Sequence, residues 1–262
     1  MPPTMSPDGR RAGGDTLVLC YHGVSPTWPS ELAVTPDALK RQLQYLAGHG
    51  YRGVTLARMV RGEVPGRAVA ITFDDACRSV LELGHPILSE LAFPATVFVP
   101  TAFVGQDAPM RWPGVEQWST GPYARELLPM SWNELRALAE EGWEIGSHSH
   151  SHARLPDLSD ERLTEELDRS RAECEGALET PCRSIAYPYG AVDTRVTQAA
   201  ADAGYTAGVV LARQLALESP LRFPRVGIYR ADSMGRFRVK VSPAVRRIRV
   251  SLEAWSAPRG HA

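Results

Sequence analysis

The chain has 262 residues, 44% of them hydrophobic and 23% charged, with a net charge of −1. This is the balance of a soluble globular chain with a sizeable core, and it excludes a disordered or membrane-embedded class. The near-neutral charge gives no general pull toward nucleic acid, which is not an expected partner. Nothing approaches the ~20 consecutive apolar residues of a membrane span. Arg10 and Arg11 have no apolar run behind them, so a secretory signal is not expected and a cytoplasmic location is. Cys20, Cys77, Cys174 and Cys182 form no C-x-x-C pair and read as reduced structural thiols.

In chain order, the polar Pro/Gly-rich residues 1–15 are expected to be flexible, and "TLVLCYHGV" reads as a buried strand ending in a turn. "TPDALKRQLQYLAGHG" is a helix: Thr35 suits its N-cap, Pro36 its first turn, Leu39, Leu43 and Leu46 share a face, and Gly48 and Gly50 lie near its stop. "AVAITF" follows as a strand, "SVLELGHPILSELA" as a helix, "ATVFVP" as a strand, "SWNELRALAEEG" as a helix and "WEIGS" as a strand. The alternation continues with a helix opened by Ser159, the strand "SIAYP", the helix "TRVTQAAADAG" and the strand "YTAGVVL". About seven β-then-α units predict a parallel sheet covered by helices, either open or closed into a barrel. The Pro/Gly-rich stretch from Phe103 to Met130 breaks the rhythm as a long loop, where function often sits. The tail carries Arg236, Arg238, Lys240, Arg246, Arg247 and Arg249 among apolar residues. It reads either as a peripheral membrane contact or as a last strand and helix with a solvated basic face, the commoner meaning of a charge run.

Three of the seven histidines, His148, His150 and His152, stand at alternate positions of "EIGSHSHSHARL". In a strand they share a face; in a turn or helix start His148 and His152 become neighbours and His150 points elsewhere. H-x-x-x-H is a bidentate metal spacing that also occurs by chance on surface helices. Asp74 and Asp75 follow the strand "AVAITF" directly, at the end where α/β folds place catalytic groups. One of them can serve only as a turn or cap residue, but consecutive carboxylates project differently, so one can bind a metal while the other moves a proton. Two imidazoles and a carboxylate suit Zn²⁺ or another borderline divalent ion and the chemistry of amide or ester hydrolysis. In "SIAYPYGAVD" the backbone N–H of Tyr189 can face a developing oxyanion, although such a turn alone is only a turn.

These motifs, in this order, resemble the polysaccharide deacetylase family, the NodB-homology domain of carbohydrate esterase family 4. The resemblance runs from "LVLCYHGVS" through "ITFDDA", "ATVFVPTAFVG", "GSHSHSHARL" and "AYPYG" to "FPRVGIY". It implies a distorted (β/α)7-type barrel over residues 16–235, with a basic C-terminal segment, 236–262, packed on it. It implies Asp74 as base, Asp75, His148 and His152 as metal ligands, and Ser149 as a hydroxyl bracing the loop; His150 matches no ligand position. Where many members carry an arginine before the PYG turn this chain has Ala186-Tyr187, and no histidine lies between His152 and His261 to match the usual late acid. A subgroup similar to poly-N-acetylglucosamine deacetylases shares "AYPYG" and an early "YH". By that similarity His22 becomes the acid and Arg225 the replacement arginine beside Asp74.

The implied activity is metal-dependent removal of an N-acetyl group from an amino sugar in a glycan or glycolipid, with a lipid-linked or short soluble precursor as the accessible substrate. Trp112, Trp118 and Tyr123 become candidates for stacking on sugar rings, against plain loop packing. The alternatives are hydrolysis of another C–N amide, as in allantoinase-like relatives, and a glycan-binding barrel without turnover. Retention of Asp74, Asp75, His148 and His152 argues against the last.

Overall fold

The structure, a computed structural model, describes residues 15–64, 66–211 and 219–246. The expected flexible segment up to residue 14, together with Arg247 and Arg249 of the tail, lies outside them. The described residues form ten strands: β1 Thr16–Tyr21, β2 Gly23–Val24, β3 Ala33–Val34, β4 Arg52–Val54, β5 Ala68–Phe73, β6 Thr96–Val99, β7 Glu144–Ser147, β8 Ser184–Ala186, β9 Ala207–Leu211 and β10 Phe223–Gly227. The α-helices are α1 Pro36–Gly48, α2 Leu56–Val60, α3 His85–Glu90, α4 Trp132–Glu140, α5 Asp160–Leu178, α6 Thr194–Asp202 and α7 Met234–Val241.

Seven strands, in the order β1, β10, β9, β8, β7, β6, β5, close into a parallel barrel because β5 pairs back onto β1 over its full length. Parallel neighbours cannot be joined by hairpins, and their helical crossovers cover the outer face, which is why these strands read as unbroken apolar runs. The barrel is distorted at β5. Its first half, Ala68–Ala70, pairs with β1 and β4, whereas Thr72 and Phe73 pair with β1 and β6. The sequence did not announce β4, β10 or α2: β4 and α2 are very short, and β10 opens on Phe-Pro-Arg.

Alternation along the strands sorts the core into two layers. Leu17, Leu19 and Tyr21 of β1 and Val69, Ile71 and Phe73 of β5 pack outward on the face shared with Leu39, Leu43 and Leu46 of α1. Val18, Ala68, Ala70, Phe98, Ala186 and Val209 form the inner cluster, joined by Leu56 and Met59 of α2. Each further step of two residues climbs toward the carboxyl ends: Val18 and Cys20 on β1 lead to His22 just past its end, and Ala70 and Thr72 on β5 lead to Asp74 just past its end. On β7 the step before His148 is Gly146, where a Cβ would come within 2.6 Å of Ser184 Oγ and 2.7 Å of Phe98.

Expected caps are in place: Thr35 accepts the N–H of Ala38, Ser131 and Glu134 form a reciprocal capping box on α4, and Ser159 accepts the N–H of Arg162. "SVLELGHPILSELA", expected as one helix, is instead a π-helical turn over Val80–Gly84 followed by α3. Pro86 brings no N–H to the ladder, and the N–H of His85 reaches back five residues to Val80 O. The four cysteines are free and buried.

At the C-terminal end, α7 buries Phe237 and Val241 against the barrel's helical layer. Three cations of this region are engaged within the fold: Arg238 lies over the Tyr45 ring at 5.4 Å, Lys240 pairs with Asp232 at 2.6 Å, and Arg246, past the helix, pairs with Asp15 at 2.7 Å. Among the described residues, no helix is long and apolar enough to cross a membrane.

Candidate active site

Asp74 and Asp75 leave the end of β5, and His148 leaves the end of β7 one turn of chain before His152. The barrel brings the two ends together so that the ligand atoms of Asp75, His148 and His152 lie within 4.8 Å of one another. Asp75 Oδ1 is 3.4 Å from Nε2 of both histidines, and all three side chains are buried. That separation matches the ~3.4 Å edge of a tetrahedron with metal–ligand bonds of ~2.0–2.1 Å. His148 donates from Nδ1 to Ala186 O at 2.7 Å, a carbonyl that can only accept, so its Nε2 is the free nitrogen turned to Asp75.

Asp75 Oδ1 itself is buried without a hydrogen-bond partner. An uncompensated buried carboxylate is costly, and two imidazole nitrogens around it make a set of donors that fits a divalent cation. Burial opposes the charge on Asp75, but His148 and His152 outweigh it and hold the carboxyl well below the usual carboxylate range. At His148 burial is likewise outweighed, here by the carboxylates of Asp74 and Asp75, and the pKa is raised; at His152 burial prevails and the pKa is lowered.

The backbone here is held in unusual conformations. Asp75, Ala76, Ser149, His152 and Tyr189, none of them glycine, have φ of 70°, 52°, 61°, 59° and 60°. Such residues cost about 1–3 kcal/mol each and persist where surroundings overdetermine them. The histidine loop is pinned by Glu166 of α5, whose carboxylate accepts from the N–H groups of His150 at 3.0 Å and Ser151 at 2.8 Å and from the Ser151 hydroxyl at 2.5 Å. Sequence reading missed Glu166. The available signal was its place on the buried stripe of α5, with Leu163, Leu167, Ser170 and Cys174.

His150 points away from the other two histidines, with Nδ1 3.0 Å from Thr101 Oγ1 and 3.1 Å from Glu173 Oε2. The bracing hydroxyl expected at Ser149 is not there: Ser149 Oγ is buried without a partner, and Ser147 Oγ accepts the Ser149 N–H at 3.1 Å instead.

On the other side of the aspartate pair, Arg225 of β10 grips Asp74 with both arms, Nη1 to Oδ1 at 2.6 Å and Nη2 to Oδ2 at 2.7 Å, while Nη1 also donates to Thr72 Oγ1 at 3.0 Å. Both side chains are almost fully buried. Burial would raise the Asp74 carboxyl, but the Arg225 charge outweighs it, helped by His148, and lowers its pKa to about 2. The Cys20 thiol donates to Asp74 Oδ2 at 3.4 Å. His22 places Nε2 3.9 Å from the same oxygen, and its Nδ1 is buried without a partner. His22 and Arg225 are thus both brought to Asp74.

Tyr189 lies at the rim, 43% exposed as a residue, with its ring edge-on to His152 at 4.8 Å. The backbone bonds of its turn run from Gly190 to Tyr187 O and from Ala191 to Pro188 O, and neither uses the N–H of Tyr189. Trp112 is corrected from a sugar-stacking candidate to a packed one. It is buried with its face against the His152 ring, 4.1 Å between centroids and 18° between planes. His152 Nδ1 has no hydrogen-bond partner, so this stack and the Tyr189 edge orient the ring. Trp118 meets Tyr123 of the same loop and Trp28, from between β2 and β3, edge-on.

The polysaccharide deacetylase family model matches residues 61–208, more than half of the chain and including Asp74, Asp75, His148, His152 and Tyr189. A poly-β-1,6-N-acetyl-D-glucosamine N-deacetylase of Staphylococcus aureus is 26% identical over 171 residues, covering 60% of this chain and 54% of that protein. Its namesake in Staphylococcus epidermidis is 28% identical over 174 residues, covering 62% and 55%. The chain therefore spans about half the length of the curated relatives it matches. Among solved structures, the fold is shared with the Streptococcus pyogenes deacetylase PplD in complex with acetate, at TM-score 0.73 and 22% identity over 87% of this chain and 98% of that one. It is also shared with IcaB from Ammonifex degensii, at TM-score 0.71 and 24% identity over 87% and 97%.

Proposed function

The chain belongs to the polysaccharide deacetylase family, and from that premise we propose that it is a Zn²⁺-dependent N-deacetylase acting on N-acetylated amino sugars of a glycan. The observation that carries the reading is the side-by-side pair of environments at the barrel mouth. Asp75 faces two histidines with a partnerless oxygen, and Asp74 is clamped by an arginine beside a histidine. The substrate class is supported by what the staphylococcal relatives are named for.

Asp75, His148 and His152 would hold the ion, and a borderline divalent metal there supplies Lewis acidity toward an acetyl carbonyl. Asp74, kept ionised by Arg225, takes the proton of the attacking water at a carboxylate oxygen. His22 gives the proton on Nε2 to the departing amine nitrogen, and the Tyr189 N–H donates to the developing oxyanion.

The test is acetate release from β-linked N-acetylglucosamine oligomers by protein stripped with chelator and reloaded with Zn²⁺. Activity lost on stripping and restored on reloading is expected. Ring-opened product from cyclic imides without acetate release would favour the other C–N amide reading. Oligomer binding without either product would make this a non-catalytic barrel.

A further inference from the structure

Cys20 lies on β1 and His22 just past its end, two residues on, so extended backbone would turn both side chains to the inner face. The parallel register Tyr21↔Phe73 sets Asp74 level with His22. One ligand atom from each of Cys20, His22 and Asp74 lies within 4.8 Å of the other two, a second trio beside the Asp75 trio and separate from it in residues. Thiol, imidazole and carboxylate together form a borderline-soft donor set suited to Zn²⁺ or Co²⁺.

The spacing fits. Sγ to Oδ2 is 3.4 Å, close to the ~3.5 Å edge expected for a tetrahedron with ~2.3 Å bonds to sulfur and ~2.0–2.2 Å to oxygen. Nε2 to Oδ2 is longer, at 3.9 Å, but no hydrogen bond ties His22 down through Nδ1, so the ring can close the gap. Cys20 and Asp74 are buried, while the His22 side chain keeps 12% exposure. Arg225 opposes a second cation, since it already bonds both oxygens of Asp74. The thiol offsets this in part: when the metal–sulfur bond forms, the S–H proton goes to solvent, the sulfur keeps the electron pair, and nothing is oxidised or reduced.

We propose that Cys20, His22 and Asp74 form a second, weaker site for a borderline divalent cation, and that filling it inhibits the enzyme. An ion there takes Oδ2 of the proton acceptor and Nε2 of the proton donor, so both transfers stop. The inhibition rests on the functional reading above; the binding does not.

Metal-free full-length protein titrated with Co²⁺ tests the binding. The first equivalent should enter the nitrogen and oxygen donors of the Asp75 trio without a thiolate-to-metal absorption band, and the second should bring that band in. Equilibrium dialysis with Zn²⁺ should give two ions per chain in the wild type and one in Cys20→Ala and in the near-isosteric Cys20→Ser, which guards against a folding defect. Excess Zn²⁺ should suppress acetate release in the wild type, and Cys20→Ser should need more Zn²⁺ for the same loss. A single ion at every concentration, or a thiolate band surviving in Cys20→Ala, would overturn the site. Two ions bound with acetate release undiminished would overturn the inhibition and, with it, the roles given to Asp74 and His22.

Discussion

Asp74 and Asp75 are chain neighbours at the end of one strand and equally hidden from solvent, yet the two sides of the barrel mouth treat them oppositely. On one side Asp74 meets a guanidinium at 2.6 and 2.7 Å and its charge is answered within the chain. On the other, Asp75 turns an oxygen toward two imidazoles and finds no donor. Identical side chains therefore acquire different chemistry from what the fold sets against them. A carboxylate already paired with a fixed cation keeps its charge and handles protons, whereas one facing two imidazole rings belongs to a donor set that fits a divalent metal.

The widest separation between the sides should come from isosteric replacement. Asp75→Asn and His148→Ala should drop bound metal from about one ion per chain to background and abolish turnover, since a lost ligand leaves a poor site. Asp74→Asn should retain the ion while turnover falls by something on the order of 10²–10⁴. Elemental analysis alongside acetate release measures both, and loss of metal in Asp74→Asn would erase the distinction.

Next in size is Arg225→Met, which leaves Asp74 buried and unpaired and should destabilise the fold by about 3–5 kcal/mol in denaturant unfolding. Adding Asp74→Asn to it should recover most of that loss, and failure to recover would mean that Arg225 matters for packing and not for pairing. Acid should then separate wild type from Arg225→Met. The Asp74 pKa lies near 2 against an ordinary 3.8, so the pair's contribution is complete above pH 3.8 and disappears as pH falls toward 2. By linkage it amounts to about 2 kcal/mol. Without Arg225 that loss should be absent, because burial alone raises the Asp74 carboxyl, and acid should instead recover part of the stability the variant has lost.

Smaller effects belong to the scaffold of the metal side. Glu166→Gln keeps the shape but weakens the acceptors that hold the histidine loop, and should lower metal affinity by roughly 10–100-fold, the range for groups that orient ligands. His150→Ala should leave metal content unchanged, because that ring faces Thr101 and Glu173. Metal loss in His150→Ala would show that the loop, and not the pair at His148 and His152, sets the site.

Much of this was legible before the fold was known. The alternating apolar runs anticipated six of the seven barrel strands, and caps such as Thr35 and Ser159 marked helix starts because capping is settled within a few residues. H-x-x-x-H and the adjacent aspartates identified the metal side for the same reason, with ligands crowded into two short stretches. Arg225 and His22 were reached through resemblance to a family, not through any local pattern. β4, β10, the Trp112 stack and the Glu166 staple were not reached. A three-residue strand has no periodicity to detect, and a tryptophan in a loop does not declare which face it will cover.

By itself the sequence determined which residue types stand at the ends of which strands, because strand alternation and turn chemistry are local. Only the tertiary structure decided which of two neighbouring carboxylates would be paired. That choice required barrel closure to carry Arg225 to an aspartate 151 positions away, and the free energy of an ion pair depends on the burial and contact that closure alone creates.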